Sequence, residues 1–72
     1  MLIKPVRCRI PDILRKKRKT QVWLAEQVGI SRQLLNDYIH LRVTMGIVIA
    51  ANIAYVLDVH IDQLYEWEWL GE

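Results

Sequence analysis

The sequence predicts one small all-α domain of five helices over residues 1–72, closed by a ribbon of two short strands at its ends. Through the middle of the chain, apolar residues recur every three and four positions, the period of a helix that buries one face. Residues that cap helices interrupt this pattern at regular points. At both ends apolar and polar residues alternate instead, as they do in half-buried strands. A chain of 72 residues suffices for a single thin core.

The alternating ends predict strands over about residues 3–9 and 65–70. We expect them to pair antiparallel as a ribbon, with the apolar faces turned inward and an Arg/Glu ladder outside. Pro5, which has no N–H to donate, makes the first an edge strand. In this arrangement Arg7 and Arg9 are ladder partners. The inward residues would be Val6, Cys8, Ile10, Tyr65, Trp67 and Trp69.

Two short helices joined at Gly29 form the centre of the chain. Thr20 can cap a helix over about residues 21–28, and a glycine just past a helix end can take the left-handed conformation that closes it. Ser31 can cap the next helix, which would bury Leu34, Leu35 and Tyr38. We therefore interpret residues 20–38 as a helix-turn-helix (HTH).

Three further helices complete the expected bundle. The first should begin at Pro11, a favoured first-turn residue. The fourth, over residues 47–57, would be capped at Thr44 or Gly46, and a short fifth helix is expected over residues 59–64. The core stripe of the fourth helix would be Ile49, Ile53, Val56 and Leu57.

A set of residues that extends over most of the chain carries a resemblance to a known family: Thr20, Gln21, Leu24, Ala25, Gly29, Ile30, Ser31, Arg32, Leu35, Tyr38, Ile53, Leu57, Val59, Ile61, Asp62 and Leu64. With these residues the chain resembles the phage-repressor (Xre, lambda-repressor-like) HTH family. The resemblance implies a small helical bundle whose third helix enters the DNA major groove, usually as a dimer on a palindromic site. The sequence departs from the family's usual residues at Ile39, Leu41, Val48 and Tyr55, where Glu, Gly and charged residues are common.

Charge is divided sharply along the chain. Residues 1–42 hold all ten Lys and Arg against three acids, a net charge of +7, whereas residues 43–72 hold five acids and no cation. A basic HTH half is what a phosphate backbone would attract, and the acidic half would face away from DNA. The alternative is ordinary surface charge.

The third helix carries the expected DNA contacts. Arg32 can donate twice to guanine, while Gln33 and Asn36 can pair with adenine. Asp37 either accepts from cytosine or pairs with Arg42. For each of these residues the alternative is a solvated helix position. Expected phosphate contacts, which orient the protein without reading sequence, are Lys19, Thr20, Gln21, Ser31 and Arg42.

The outer side of the fourth helix carries no charge, which is typical of a helix that something covers. We expect a homodimer or partner surface here, although a monomer with an exposed apolar helix is the alternative. Trp23, in the opening turn of the second helix, either folds over the bundle or anchors a partner. The expected surface consists of Ile39, Leu41, Val43, Val48, Asn52 and Tyr55.

The sequence offers no catalytic set, no glycine-rich phosphate loop and no zinc spacing, so we expect no enzyme, metal, cofactor or small-molecule ligand. Its longest apolar run is too short to span a bilayer, and the single cysteine suits a reducing cytoplasm. The leading prediction is a sequence-specific DNA-binding transcriptional regulator, a repressor acting as a homodimer on a palindrome. The alternative is an HTH-shaped protein-interaction module, an antitoxin or phage-encoded modulator, that binds through Trp23, Leu41, Val48 and Tyr55.

Overall fold

The structure is a computed structural model that describes residues 2–71. Helix α2 (Gln21–Val28) packs against α3 (Arg32–Ile39) and α4 (Ile47–Leu57), and strands β1 (Ile3–Cys8) and β2 (Tyr65–Trp69) pair as a two-stranded antiparallel ribbon. Within the described residues, no helix is long and apolar enough to cross a membrane. In chain order the elements are β1 (Ile3–Cys8), α1 (Ile10–Lys17), α2 (Gln21–Val28), α3 (Arg32–Ile39), α4 (Ile47–Leu57), a 3₁₀ turn (Ile61–Leu64) and β2 (Tyr65–Trp69).

One apolar core joins these elements. Its largest fully buried side chains come from all four α-helices and from the 3₁₀ turn, so each element is held by the same cluster. Burying a side chain of this size contributes about 1.5–3 kcal/mol. The fully buried set is Ile10, Leu24, Leu35, Ile53, Leu57 and Leu64.

The caps predicted for the HTH are confirmed. Thr20 Oγ1 accepts from the backbone N–H of Trp23 at 3.0 Å, and Ser31 Oγ accepts from that of Leu34 at 3.0 Å. Gly29 has φ +82°, the left-handed conformation. A Cβ added there would meet nothing within 4 Å, so the position favours glycine for its backbone conformation and not for space.

The other three helices also end in the left-handed region, but without glycine. The residues are Arg18, Leu41 and Asp58, with φ of 57°, 59° and 58°. Each conformation costs roughly 1–2 kcal/mol in a residue that has a Cβ. The left-handed conformation reverses the chain, so that backbone N–H groups beyond the helix donate to the free carbonyls of its last turn. After α3, for example, Arg42 N donates to Asp37 O at 2.9 Å.

The expected count of five α-helices is wrong, because the fifth segment is a single 3₁₀ turn over Ile61–Leu64. His60 N donates to Gln63 Oε1 at 2.7 Å, which closes the turn, and β2 begins at the next residue. A segment of four residues is too short for an α-helix and commonly adopts 3₁₀ geometry. The core stripe of α4 is also shifted: Ala50, Ile53, Ala54 and Leu57 are buried.

The ribbon forms, but its register differs from simple alternation. A bulge lies between Pro5 and Arg7, so Val6 has no partner and is 44% exposed. Pro5, not Val6, therefore stands opposite Trp67. The expected ladder role of Arg9 is wrong: it lies outside β1, and its N–H donates to Leu64 O at 2.7 Å as α1 begins.

Only the base of the ribbon is covered by the core. Cys8 is 5% exposed and its cross-strand partner Tyr65 is half-buried, whereas Trp67 is 42% and Trp69 69% exposed. The expectation that the whole apolar face turns inward is therefore wrong. Trp67 is held at the base, since its Nε1 donates to Asp62 O at 2.8 Å.

Candidate nucleic-acid interface

Helix α3 turns two apolar side chains into the core and polar ones outward. Leu35 and Tyr38 are 0% and 4% exposed, and Leu34, expected inward, is half-buried. Arg32 and Gln33 are exposed in the first turn. The remaining predicted base contacts, Asn36 and Asp37, lie one turn later and are half-buried. The polar residues are thus concentrated along one side of α3.

The capping hydroxyls of Thr20 and Ser31 remain able to meet a phosphate. Each hydroxyl oxygen accepts one backbone N–H, and a hydroxyl has one hydrogen to donate besides its acceptor sites. Both residues are exposed, as is Gln21 at the start of α2. The N-terminus of a helix also presents free N–H groups and partial positive charge to an anion.

Lys19 and Trp23 form one unit beside the start of α2. The Lys19 ammonium lies 5.0 Å from the centroid of the Trp23 ring, within the range of a cation–π contact. Trp23 is half-buried and packs against the core. This supports the prediction that Trp23 folds over the bundle, while its Lys19 partner is itself exposed.

Asp37 is paired with Arg42, one of the two roles considered for it. Arg42 Nε donates to Asp37 Oδ1 at 2.8 Å. Two further contacts were not anticipated: Arg42 Nη2 donates to Asn36 Oδ1 at 2.6 Å, and Gln33 Nε2 donates to Asp37 Oδ1 at 3.1 Å. Arg42 follows Asp37 by five residues and Asn36 by six. Side chains on one helix face are three or four residues apart, so the sequence pattern does not predict the two contacts together.

Ion pairs across the ribbon join basic residues of the N-terminal half to acidic residues of the C-terminal half. Lys4 lies 3.8 Å from Glu68, and Arg7 pairs with both Glu66 and Asp12. The hydrogen bond to Glu66 is the main reason why the pKa of Arg7 is raised. Among residues 2–71, the cations without a carboxylate within 4.0 Å are Arg9, Lys16, Lys17, Arg18, Lys19 and Arg32.

Exposed apolar residues cover the outer side of α4. Val48 is 70% and Tyr55 86% exposed, and Asn52 Nδ2 donates to Val48 O at 2.8 Å, which satisfies that amide within the helix. Ile39 packs against the core and contributes less surface than expected. Ile47, which the sequence reasoning left out, is 71% exposed.

An apolar groove of about 480 Å³ adjoins this side of α4. It lies between the ribbon, the link after α3 and the start of α4. The sequence predicts Leu41 and Val43 as part of the surface but not the ribbon's contribution, because the proximity of the ribbon to the link after α3 depends on tertiary structure. The lining residues include Pro5, Leu41, Val43, Ile47, Ile61 and Trp67.

Within residues 2–71, no group of three or more His, Cys, Asp or Glu side chains is placed to hold a metal ion.

Comparison with known proteins agrees with this geometry. Residues 9–68 match the Cro/C1-type HTH DNA-binding domain. The chain is also 44% identical over 62 residues to the SPbeta prophage-derived uncharacterized HTH-type transcriptional regulator YopS of Bacillus subtilis (strain 168). That alignment covers 85% of this chain and 84% of the relative. The chain belongs to the Cro/C1-type family of HTH DNA-binding domains.

Proposed function

We propose that this protein is a sequence-specific transcriptional repressor that binds a palindromic operator as a homodimer, with α3 in the major groove. Family membership supports DNA binding, and the name of the relative supports transcription regulation. The observation that carries the finer proposal is the outward placement of Arg32, Gln33 and Asn36 on α3, beside the capped starts of two helices. The N-terminal half of a recognition helix is the part that reaches base edges.

Each polar residue has a role that follows from its donors and acceptors. Arg32 donates to guanine O6 and N7, and Gln33 and Asn36 contact neighbouring bases, each good pair discriminating by about 1–3 kcal/mol. Lys19 and Gln21 contact phosphate oxygens, as do the hydroxyl hydrogens of Thr20 and Ser31. These contacts fix the register of α3 in the groove.

The homodimer follows from the need for two recognition helices. A pair about 34 Å apart reads two half-sites on one side of the duplex. A stable interface buries about 800 Å² per partner, roughly a sixth of the 5136 Å² surface of this chain. The uncharged side of α4 provides an apolar surface for a second copy, with Val48, Tyr55 and Ile47 at least 70% exposed. Ile47 also lines the groove beside the ribbon.

Selection from a random oligonucleotide pool tests groove readout. The wild-type protein should enrich a palindrome, and the double variant Arg32→Ala, Gln33→Ala should lose the preference while keeping its helical circular dichroism. Arg9→Ala is the matched control, because it removes an exposed cation that lies outside the HTH and should leave the selected sequence unchanged. Failure of the wild-type protein to enrich any sequence contradicts the proposal.

Sedimentation equilibrium tests the dimer. Ile47→Glu places a charge on the exposed start of α4 and should convert a dimer into a folded monomer that binds the palindrome more weakly. Val6→Glu is the control, because Val6 is exposed but does not line the groove. A wild-type protein that sediments as a monomer at micromolar concentration, free and on DNA, refutes the homodimer.

The exposure of Val48 and Tyr55 also suits a protein-interaction module, the second candidate function. The residues expected for that role do not form one site, since Trp23 and Tyr55 line one cleft and Leu41 lines the groove beside the ribbon. A salt titration separates the two functions. DNA binding through several Lys and Arg weakens steeply as salt rises, whereas an apolar protein interface responds little.

A further inference from the structure

Three outward residues of α3 belong to one side-chain network with Arg42. Arg42 Nε donates to Asp37 Oδ1 at 2.8 Å, and Arg42 Nη2 donates to Asn36 Oδ1 at 2.6 Å. Asp37 Oδ1 also accepts from Gln33 Nε2 at 3.1 Å. Among the outward residues of α3, Arg32 takes no part in these bonds.

The end of α3 creates this network. Leu41 has φ +59°, which reverses the chain so that Arg42 N donates to Asp37 O at 2.9 Å and Leu41 N donates to Tyr38 O at 3.1 Å. The side chain of Arg42 is thereby returned alongside the last turn of α3, where it reaches Asn36 and Asp37. Its planar fork then reaches two acceptors on successive residues, which a single ammonium could not hold in the same way.

The charged partners fix the orientation of both side-chain amides. Arginine has donors only, so the atom of Asn36 that faces Arg42 must be its oxygen. A carboxylate only accepts, so the atom of Gln33 that faces Asp37 must be its nitrogen. Asn36 is left with the two hydrogens of Nδ2 and one lone pair of an oxygen held against Arg42, and Gln33 is left with its carbonyl oxygen and one N–H.

We propose that Arg42 is a positioning residue that determines sequence specificity, because it holds Asn36 with its donors towards the base edges. Asn36 then selects a base with major-groove acceptors, guanine through N7 and O6 or thymine through O4, and discriminates against adenine, which places a donor at N6. The bidentate pairing of asparagine with adenine also needs the amide oxygen, so adenine N6 would have to share Asn36 Oδ1 with the guanidinium of Arg42. This inference rests on the proposed function, groove readout by α3.

A phosphate contact is the competing role for Arg42. The ion pair with Asp37 offsets the attraction of Arg42 for DNA, since the two charges lie within hydrogen-bond distance. The two roles predict different measurements. A phosphate contact strengthens binding to every sequence and adds about one unit to the salt slope, whereas a positioning residue changes the base preferred at one position of each half-site.

The test compares Arg42→Met with Lys19→Met. Each variant removes one cation and keeps an apolar stem, and Lys19 lies outside the network. Oligonucleotides are selected with the wild-type protein and with both variants, and Kd is measured at several salt concentrations for sites that carry each base at each position.

For Arg42→Met we expect the preference against adenine at one half-site position to fall by about 5- to 150-fold, the discrimination of one good contact. Other positions and the salt slope should change little. Lys19→Met should weaken all sites alike and lower the salt slope by about 1.

Uniform weakening by Arg42→Met, or no change in base preference, overturns the proposal. Arg42→Lys is a second variant in case Arg42→Met does not fold. It keeps the positive charge but loses the planar guanidinium, so it should weaken the base preference at the same position. If Arg42→Lys retains the wild-type preference, the proposal is also overturned. A wild-type protein with no preference at any position contradicts groove readout itself. Asn36→Ala identifies the position that Asn36 reads, because this variant should lose the preference there. If the wild-type protein prefers adenine at that position, only the role of Arg42 is contradicted.

Discussion

Ser31 combines two tasks that a pair of substitutions can separate. Its Oγ accepts from Leu34 N at 3.0 Å and caps α3, while its hydrogen remains free for a phosphate. Ser31→Ala removes both functions. Ser31→Asp keeps an oxygen that can accept the same N–H, and aspartate caps helices as well as serine does. The new carboxylate would, however, stand where the proposed function places a phosphate.

The expected magnitudes follow from this geometry. Loss of the cap in Ser31→Ala should cost about 1 kcal/mol of unfolding free energy, because one N–H of the first turn loses its partner. In a domain of this size that lowers Tm by roughly 4–8 °C. Ser31→Asp should keep the wild-type stability or gain about 0.3–1 kcal/mol from the helix dipole. Its repulsion of a phosphate about 4 Å away is at least about 1 kcal/mol even in bulk water.

Thermal unfolding followed by circular dichroism measures the stability of each variant. The fluorescence anisotropy of labelled DNA measures its affinity for DNA. Ser31→Ala should be less stable, with a modest loss of affinity. Ser31→Asp should be as stable as wild type but bind DNA at least about fivefold more weakly per subunit. If Ser31→Asp unfolds as readily as Ser31→Ala, the side-chain oxygen at position 31 does not stabilise α3 as a cap. If Ser31→Asp binds DNA as tightly as the wild-type protein, Ser31 does not face a phosphate.

Three further predictions concern the ribbon and the start of α1. Burial raises the pKa of the Cys8 thiol, which is 5% exposed, so a thiol reagent should modify Cys8 slowly and only as fast as the protein opens. The pKa of Asp12 is lowered, chiefly by the hydrogen bond from Arg7, so its ionised form stabilises the fold above the usual Asp pKa of about 3.9 and this contribution is lost as pH falls below it. Urea unfolding should therefore show Asp12→Asn less stable than wild type at pH 7, with the difference disappearing in acid. Burial raises the pKa of Tyr65 to about 12, so its neutral form stabilises the fold below the usual Tyr pKa of about 10, and stability should fall between these values as pH rises. Tyr65→Phe should lose less stability over that range in the same urea measurement.

The sequence predicted those parts of the fold that depend on neighbouring residues. The hydroxyls of Thr20 and Ser31 and the glycine at position 29 act within a few residues of their own positions, so their chemistry alone identifies the HTH. The bounds of α4 were likewise predicted from its apolar run, and Gly46 is the one of the two expected caps, Thr44 or Gly46, that the structure has. Local signals of this kind need no knowledge of tertiary structure.

Other features depend on conformations that the residue type does not reveal. Leu41 takes the left-handed conformation although its Cβ disfavours it, so neither the end of α3 nor the return of Arg42 to Asn36 was visible in the sequence. The bulge at Val6 changed which residue of β1 faces Trp67. The apolar groove was missed for the same reason, since it needs the ribbon register and the link after α3 together.

The pairing of β1 with β2 also determines when the ribbon can fold during synthesis. Ile3 stands opposite Trp69, so the first strand must wait while the ribosome synthesises every helix before its partner emerges. During that wait an unpaired strand is a template for association with other nascent chains. Pro5 and the irregularity beside it leave a poor template, because proline lacks the N–H that an incoming strand would need. Pro5 and the bulge beside it therefore reduce the number of hydrogen bonds that an unpaired β1 can offer to another chain.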